Sequence, residues 1–328
     1  MNQSAETWLR ALAEQPSAGG VPDPAPVTEA EARERMTLLA VPPEHRAPVL
    51  ATLPDPDCDP LVLRALLACH RSLFGEPGPP PARLAWPHAP PGAGDLGRYF
   101  YLHLFLLALP AALERQRRHG IPGDVVEATF ADVGGKMTVR RHGPGTGGFD
   151  RQRWAVRHFR GTLHRLGRLQ FERARLDTAA TGGGPGPDGP AHGDAVLDVH
   201  VIGDGPLTPG LCTASFEEAR AFYARHFPAY RHRHAVCSSW LLDEGLTRYL
   251  PGTSNILAFQ RRFTRFGTWP DRDDDVLEFV FRTPPGTAHL DRLPQTTTLQ
   301  RALVRHLRAG RHWRMVHGWT PLAPGEGA

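Results

Sequence analysis

With 328 residues the chain has room for two domains of roughly 150 residues each, and 41% hydrophobic content suffices for a buried core, which excludes a collagen-like or wholly disordered chain. The formal net charge of +4 rests almost wholly on arginine, Lys136 being the only lysine, so it reads as genome composition rather than as a nucleic-acid surface. Cys58, Cys69, Cys212 and Cys237 show neither C-x-x-C spacing nor disulfide-framework density, which points to reduced thiols in a cytoplasmic protein.

The first fifteen residues read as an amphipathic helix, without the basic segment and apolar run of a secretory signal. Periodic apolar stretches at 8–12, 32–39, 61–73 and 96–113 predict further helices, separated by proline-rich breakers at 22–26, 54–60 and 77–91. The greasiest run, 99–109, is too short to cross a bilayer, contains His103 and is expected to stop at Pro110; it reads as a core helix, with no membrane span. Residues 125–133 predict a helix that stops at Gly134 and Gly135, and 137–141 a short strand. Residues 149–164 predict a helix with Trp154 and Phe159, 169–176 a strand, and 181–193 a low-complexity surface loop. Beyond it come strands at 196–202, 235–242, 276–282 and 314–319, with helices at 212–226, 254–266 and 298–309. The expected fold class is α+β, a mostly helical N-terminal domain over 1–148 followed by an α/β domain over 149–328 with a central mixed sheet.

The segment richest in chemistry runs from Val196 to Pro209: a strand, a turn with two glycines, and a helix start at which Thr208 suits the N-cap and Pro209 the first helical position. Such a turn presents free backbone N–H groups and the positive end of a helix dipole, an arrangement suited to a pyrophosphate; the same pattern also fits an ordinary strand-to-helix connection. Alternation sets Val196, Asp198, His200 and Ile202 on one face and Leu197, Val199 and Val201 on the other, the core side. His200 therefore projects beside the turn, where it would serve as a base near neutral pH or as a structural residue, with Asp198 orienting it or facing solvent.

In 235–242, Cys237 lacks a nucleophile elbow and reads as inert packing, while Ser238 or Ser239 has the chemistry to donate a hydrogen bond to a leaving thiolate. His232 with His234, and His312 with His317, lack supporting ligands, so no metal is expected. The arginine-rich helix over 301–314 reads as a solvated face that could touch a phosphate, with no nucleic acid expected. The loop 143–148 lacks the spacing of a dinucleotide fingerprint.

Seven stretches occur together and in order: 131–134, Trp154 with His158, 165–172, 200–207, 237–243, 254–256 with Phe259, and 299–301. In these the chain resembles the two-domain N-acyltransferases with a GNAT-like C-terminal domain, nearest to the long-chain N-acyltransferases of teicoplanin-type glycopeptide antibiotics. The resemblance implies direct transfer of an acyl group from acyl-CoA to an amine of a glycopeptide or other acceptor. It implies His200 as general base, the cofactor on Val201, Ile202, Gly203, Asp204, Gly205, Pro206, Leu207 and Thr208, and an acyl or acceptor pocket shaped by Trp154, Ser238 and Trp240. Backbone N–H groups near Val201 and Ile202 would bind the oxyanion. Many relatives carry Pro in place of Ile202 and His in place of Ser238, so no acid role carries over to position 238. Two rivals stand beside this reading, a carrier-protein-dependent acyltransferase and a non-catalytic acyl-CoA-binding protein.

Overall fold

A computed structural model describes residues 2–15, 22–75, 84, 86–139, 148–283 and 289–322. Their contacts divide the chain into two compact units, Met1–Thr162 and Leu163–Ala328, whereas the sequence reading sets the boundary at 148/149; the helix with Trp154 and His158 goes with the first unit. The loop 143–148 lies, except for Gly148, outside the described residues.

The N-terminal unit is helical: α1 Gln3–Ala13, α2 Glu29–Leu38, α3 Pro43–Ala51, α4 Pro60–Phe74, α5 Gly94–Arg118, α6 Gly123–Val139 and α7 Gln152–Phe159. Local chemistry starts them. The Asn2 side chain accepts from the Ala5 N–H, Thr28 and Glu31 form a reciprocal capping box, and Pro43 and Pro60 occupy first-turn positions where a missing N–H costs nothing. Helix α5 is the core, buried without a break from Tyr99 to Leu109. Aromatic rings close around it, with Phe105 stacked on Phe159 at 4.5 Å and Phe100 edge-on to Trp8 at 4.9 Å, contacts worth roughly 0.5–1.5 kcal/mol each beyond their burial.

Two expectations fail here for non-local reasons. Helix α5 continues through Pro110 to Arg118, because the packed turns before the exposed proline outweigh one lost hydrogen bond. The whole segment Pro91–Arg118 is therefore long and apolar enough to cross a membrane, but 72% of its most apolar window is buried inside the protein, as in a core helix. Helix α6 also runs through Gly134 and Gly135, so residues 137–139 are helical and not a strand. Gly134 is there for space: its N–H donates to the Leu39 carbonyl at 2.8 Å, and a Cβ would lie 1.9 Å from the Ala40 carbonyl oxygen.

The C-terminal unit is built on β1 Leu163–Leu166, β2 Leu169–Arg175, β3 Ala195–Val201, β4 His234–Ser239, β5 Thr264–Phe266 and β6 Val316–Pro321, with helices α8 Pro209–His226, α9 Asn255–Gln260, α10 Asp273–Phe281 and α11 Thr298–Arg308. The six strands form one mixed sheet in the order β1-β2-β3-β4-β6-β5, antiparallel except for the β3–β4 pair. The β1–β2 hairpin, absent from the sequence reading, turns at Gly167, whose φ of 60° suits glycine. Residues 276–282 belong to helix α10 and not to a strand: Asp273, Asp274 and Asp275 complement its N-terminal dipole, and Val276, Leu277 and Phe281 face inward. The expected helix over 254–266 is only α9, and its last residues form β5. The strand over 235–242 stops at Ser239, where a 3-10 turn takes over Trp240–Leu242.

Candidate active site

The two faces of the sheet differ in chemistry. On one, Phe171, Leu197, Val199 and Cys237 are buried, Phe171 meets Phe216 of α8 edge-on at 5.3 Å, and the Tyr223 hydroxyl donates to the Phe171 carbonyl at 2.5 Å. Burial pushes the Cys237 thiol well above its ordinary range, leaving no thiolate for nucleophilic work, as its sequence context suggests. On the other face, pairing aligns Gln170 with His200 and Glu172 with Asp198 across β2–β3, and Ser238 with His317 across β4–β6. That face is apolar only at one end, where Leu176, Val196, Val236 and Phe266 pack together, so Val196 is core although its alternate neighbours are polar.

His200 is held by carboxylates. Its Nε2 lies 3.1 Å from Glu172 Oε2 and 3.8 Å from Asp198 Oδ2, and its side chain keeps 18% exposure. An Nε2–H given to Glu172 orients the ring and, in the neutral imidazole, puts the lone pair on Nδ1. Glu172, missing from the sequence-predicted set, is thus the nearest orienting group, ahead of Asp198. The ligand atoms of Glu172, Asp198 and His200 lie within 4.8 Å of one another, close enough to share a cation, but the imidazole–Glu172 hydrogen bond already accounts for their grouping. Beside His200, the Gln170 amide is fully buried, and neither its oxygen nor its nitrogen has a hydrogen-bond partner among the described residues.

The turn after β3 is held from behind by another residue the sequence reading leaves without a role. The Arg168 guanidinium donates to the carbonyls of Ile202 at 2.7 Å, Gly205 at 2.6 Å and Pro206 at 3.0 Å, while the Arg168 N–H is held by Ser215 Oγ at 2.8 Å. Asp204, the one acid in the turn, is neutralised by Arg165 at 2.6 Å and Arg168 at 3.3 Å. With the carbonyls turned to Arg168, the N–H groups of Gly203, Asp204, Gly205 and Leu207 have no acceptor among the described residues. A Cβ added at Gly203 would meet nothing within 4 Å, and neither Gly203 nor Gly205 has a positive φ, so these glycines leave the surface bare rather than relieve strain. Thr208 caps α8 by accepting from the Leu211 N–H at 3.4 Å, and Pro209 opens the helix as expected. Leu207 is buried and anchors the turn.

The structure thus gathers His200, Val201, Ile202 and the 203–208 turn along one strand end. Pairing of β3 with β4 covers only Val196–Asp198 against His234–Val236, although β3 runs to Val201 and β4 to Ser239, so an opening separates His200 from Ser238. Trp240, just past β4, is buried. Trp154 belongs to the helical unit. Its indole N–H donates to Asp132 Oδ2 at 3.1 Å, and its ring lies 5.0 Å from Lys136 Nζ and 4.8 Å from the Arg157 guanidinium carbon. Burial works against the charged form of Asp132, yet the His158 hydrogen bond, the Lys136 charge and the Trp154 indole hold its carboxyl below the usual carboxylate range. His312 and His317 are each engaged elsewhere: His312 bonds Asp273 at 2.6 Å and His317 bonds Ser238 at 2.7 Å.

Known proteins carry the same architecture. The N-acyltransferase N-terminal domain family matches residues 30–161, and the GNAT-like C-terminal domain family matches residues 163–320. Among solved structures, an acyltransferase in complex with decanoyl-CoA and teicoplanin is 35% identical with a TM-score of 0.82, covering 98% of this chain and 97% of that one. An acyltransferase in complex with CoA and 10C-teicoplanin matches with the same figures, and one in complex with decanoyl-CoA is 33% identical with the same coverage and TM-score. A comparison with curated proteins returns no match. The chain belongs to the two-domain N-acyltransferases with a GNAT-like C-terminal domain.

Proposed function

We propose that this enzyme transfers a long-chain fatty acyl group from acyl-CoA directly to the amine of an aminosugar on a glycopeptide antibiotic scaffold, with His200 as general base. The observation that carries the reading is the juxtaposition on one strand end of a bare turn with free N–H groups and an imidazole held by Glu172. The 203–208 turn and the start of α8 suit the CoA pyrophosphate, which needs hydrogen-bond donors and the positive end of a helix dipole more than side-chain charge. The opening between β3 and β4, where the ladder stops short of His200, suits the extended arm that carries the thioester.

In this reading His200 Nδ1 takes the proton from the attacking amine, and N–H groups near Val201 and Ile202 meet the oxyanion. Lining the two substrates up supplies much of the remaining rate. Trp154, fixed by Asp132 and flanked by two cations in the helical unit, is a substrate-binding residue in this reading, as are Ser238 and Trp240 at the C-terminal end of β4. The chain length and acceptor class are supported by relatives about one-third identical that bind decanoyl-CoA and teicoplanin. We place the reaction in the cytoplasm, where the buried free thiols stay reduced.

The test is thiol release from acyl-CoAs of graded length, with aminosugar glycopeptides as acceptors and the acylated product followed by mass. Acceptor-dependent release with decanoyl-CoA is expected. Transfer only from a carrier protein, or tight acyl-CoA binding without release for any amine, would refute the proposal.

A further inference from the structure

Ser238 and His317 form a second polar pair on the same sheet face as His200, and the base mechanism leaves them unused. The ladder aligns them across β4–β6, with Ser238 Oγ 2.7 Å from His317 Nδ1. The Asp198–Val236 pairing sets the register between β3 and β4, so His200 and Ser238, each two residues further on, share one face across the opening. Ser238 is exposed there and His317 behind it is buried. An imidazole is one side of an otherwise ordinary serine contact, and its burial favours the uncharged ring.

We infer that Ser238, oriented by His317, donates a hydrogen bond to the sulfur that leaves the acyl donor, opposite the base on His200. The assignment rests on the transferase reading above. His317 gives its Nδ1–H to Ser238 Oγ, which leaves the hydroxyl proton free to point into the opening. As the amine attacks, the C–N bond forms and the C–S bond breaks with its electron pair on sulfur. The amine proton passes to His200, and the thiolate departs hydrogen-bonded to Ser238, taking its own proton from water on release. No acyl-serine forms. The benefit grows with the charge on sulfur, so it is large for an alkyl thiolate such as that of CoA and small for a weakly basic aryl thiolate. Ser238 is thus a catalytic residue and His317 its positioning residue.

The experiment compares wild type, Ser238→Ala, Ser238→Thr and His317→Ala with two donors of the same acyl group, acyl-CoA and a 4-nitrothiophenyl thioester, as the ratio of variant to wild-type kcat/KM. With acyl-CoA, Ser238→Ala and His317→Ala are expected to lose about tenfold, the value of one hydrogen bond to a charged group. With the aryl thioester the loss in both is expected to be at least about threefold smaller than with acyl-CoA, and Ser238→Thr retains activity with either. Equal losses on both donors, no loss on either, or an acyl adduct on Ser238 in wild type would overturn the assignment. Failure of wild type to transfer from any thioester would instead defeat the transferase reading, and this assignment with it.

Discussion

Buried polar groups are handled differently in the two units. In the helical unit several of them meet one another inside a sealed aromatic core: His45 Nδ1 lies 3.0 Å from the Tyr99 hydroxyl, His103 Nε2 lies 3.0 Å from Thr52 Oγ1, and Asp132 gathers Trp154, His158 and Lys136. In the sheet unit the polar row of Gln170, Glu172, His200, Ser238 and His317 sits on one face beside a gap in the strand pairing, with His200 and Ser238 partly open to solvent. A closed pair fixes a conformation. A polar row partly open to solvent beside a gap in the strand pairing has room for a substrate.

Changes inside the helical core, away from Trp154, are therefore expected to act on stability, and changes on the sheet face on turnover or affinity. The largest effect is on acid stability. Burial pushes His103 down to about 3 from an ordinary 6.5. Below about pH 6.5 the unfolded chain binds a proton that the folded chain refuses until about pH 3. Stability therefore falls on acidification across that window, by up to about 1.4 kcal/mol per pH unit for this one group. Denaturant titrations from pH 7 to pH 4 should show the loss, and His103→Asn should flatten it.

Next comes Gly134→Ala. Glycine to alanine inside a helix ordinarily gains about 1 kcal/mol, but here the added Cβ strikes the Ala40 carbonyl, so a loss of about 1–3 kcal/mol is expected. Gly135→Ala, whose Cβ would meet only Asp132 Oδ1 at 3.9 Å, should show the ordinary gain in the same denaturation assay. On the sheet side, Arg168→Ala releases three carbonyls of the turn and should weaken CoA binding about tenfold by calorimetry, with kcat per bound enzyme little changed. The smallest effect has the opposite sign in the two readouts: Gln170→Leu removes a buried, unpartnered amide and should raise stability by up to about 1 kcal/mol while lowering turnover. A variant that gained stability and kept full turnover would remove Gln170 from the site.

Some of this was legible in the sequence because its causes are local. Alternation from Leu197 to Val201 marks β3, and Thr208 with Pro209 marks the start of α8, so the turn and His200 are found from neighbouring residues alone. The rest depends on pairing between distant segments. Glu172 meets His200 through the β2–β3 register, Arg168 reaches the turn from the hairpin before it, and His317 meets Ser238 across β4–β6. No spacing in the chain encodes those contacts. Gly134 reads as a helix stop until the Leu39–Ala40 turn is seen against it. For α10 a signal was present: an apolar run of this length fits either strand or helix, and three aspartates before it favour the helix.

In the proposed reaction the imidazole held by Glu172 removes the amine proton while the neighbouring turn holds the cofactor, so the two tasks should separate in one variant. Measuring both kcat for acceptor-dependent thiol release and Kd for CoA in His200→Ala tests this most directly. Turnover is expected to fall by about tenfold or more, with Kd within about twofold of wild type. Unchanged turnover, or a loss that appears only in CoA affinity, would contradict it.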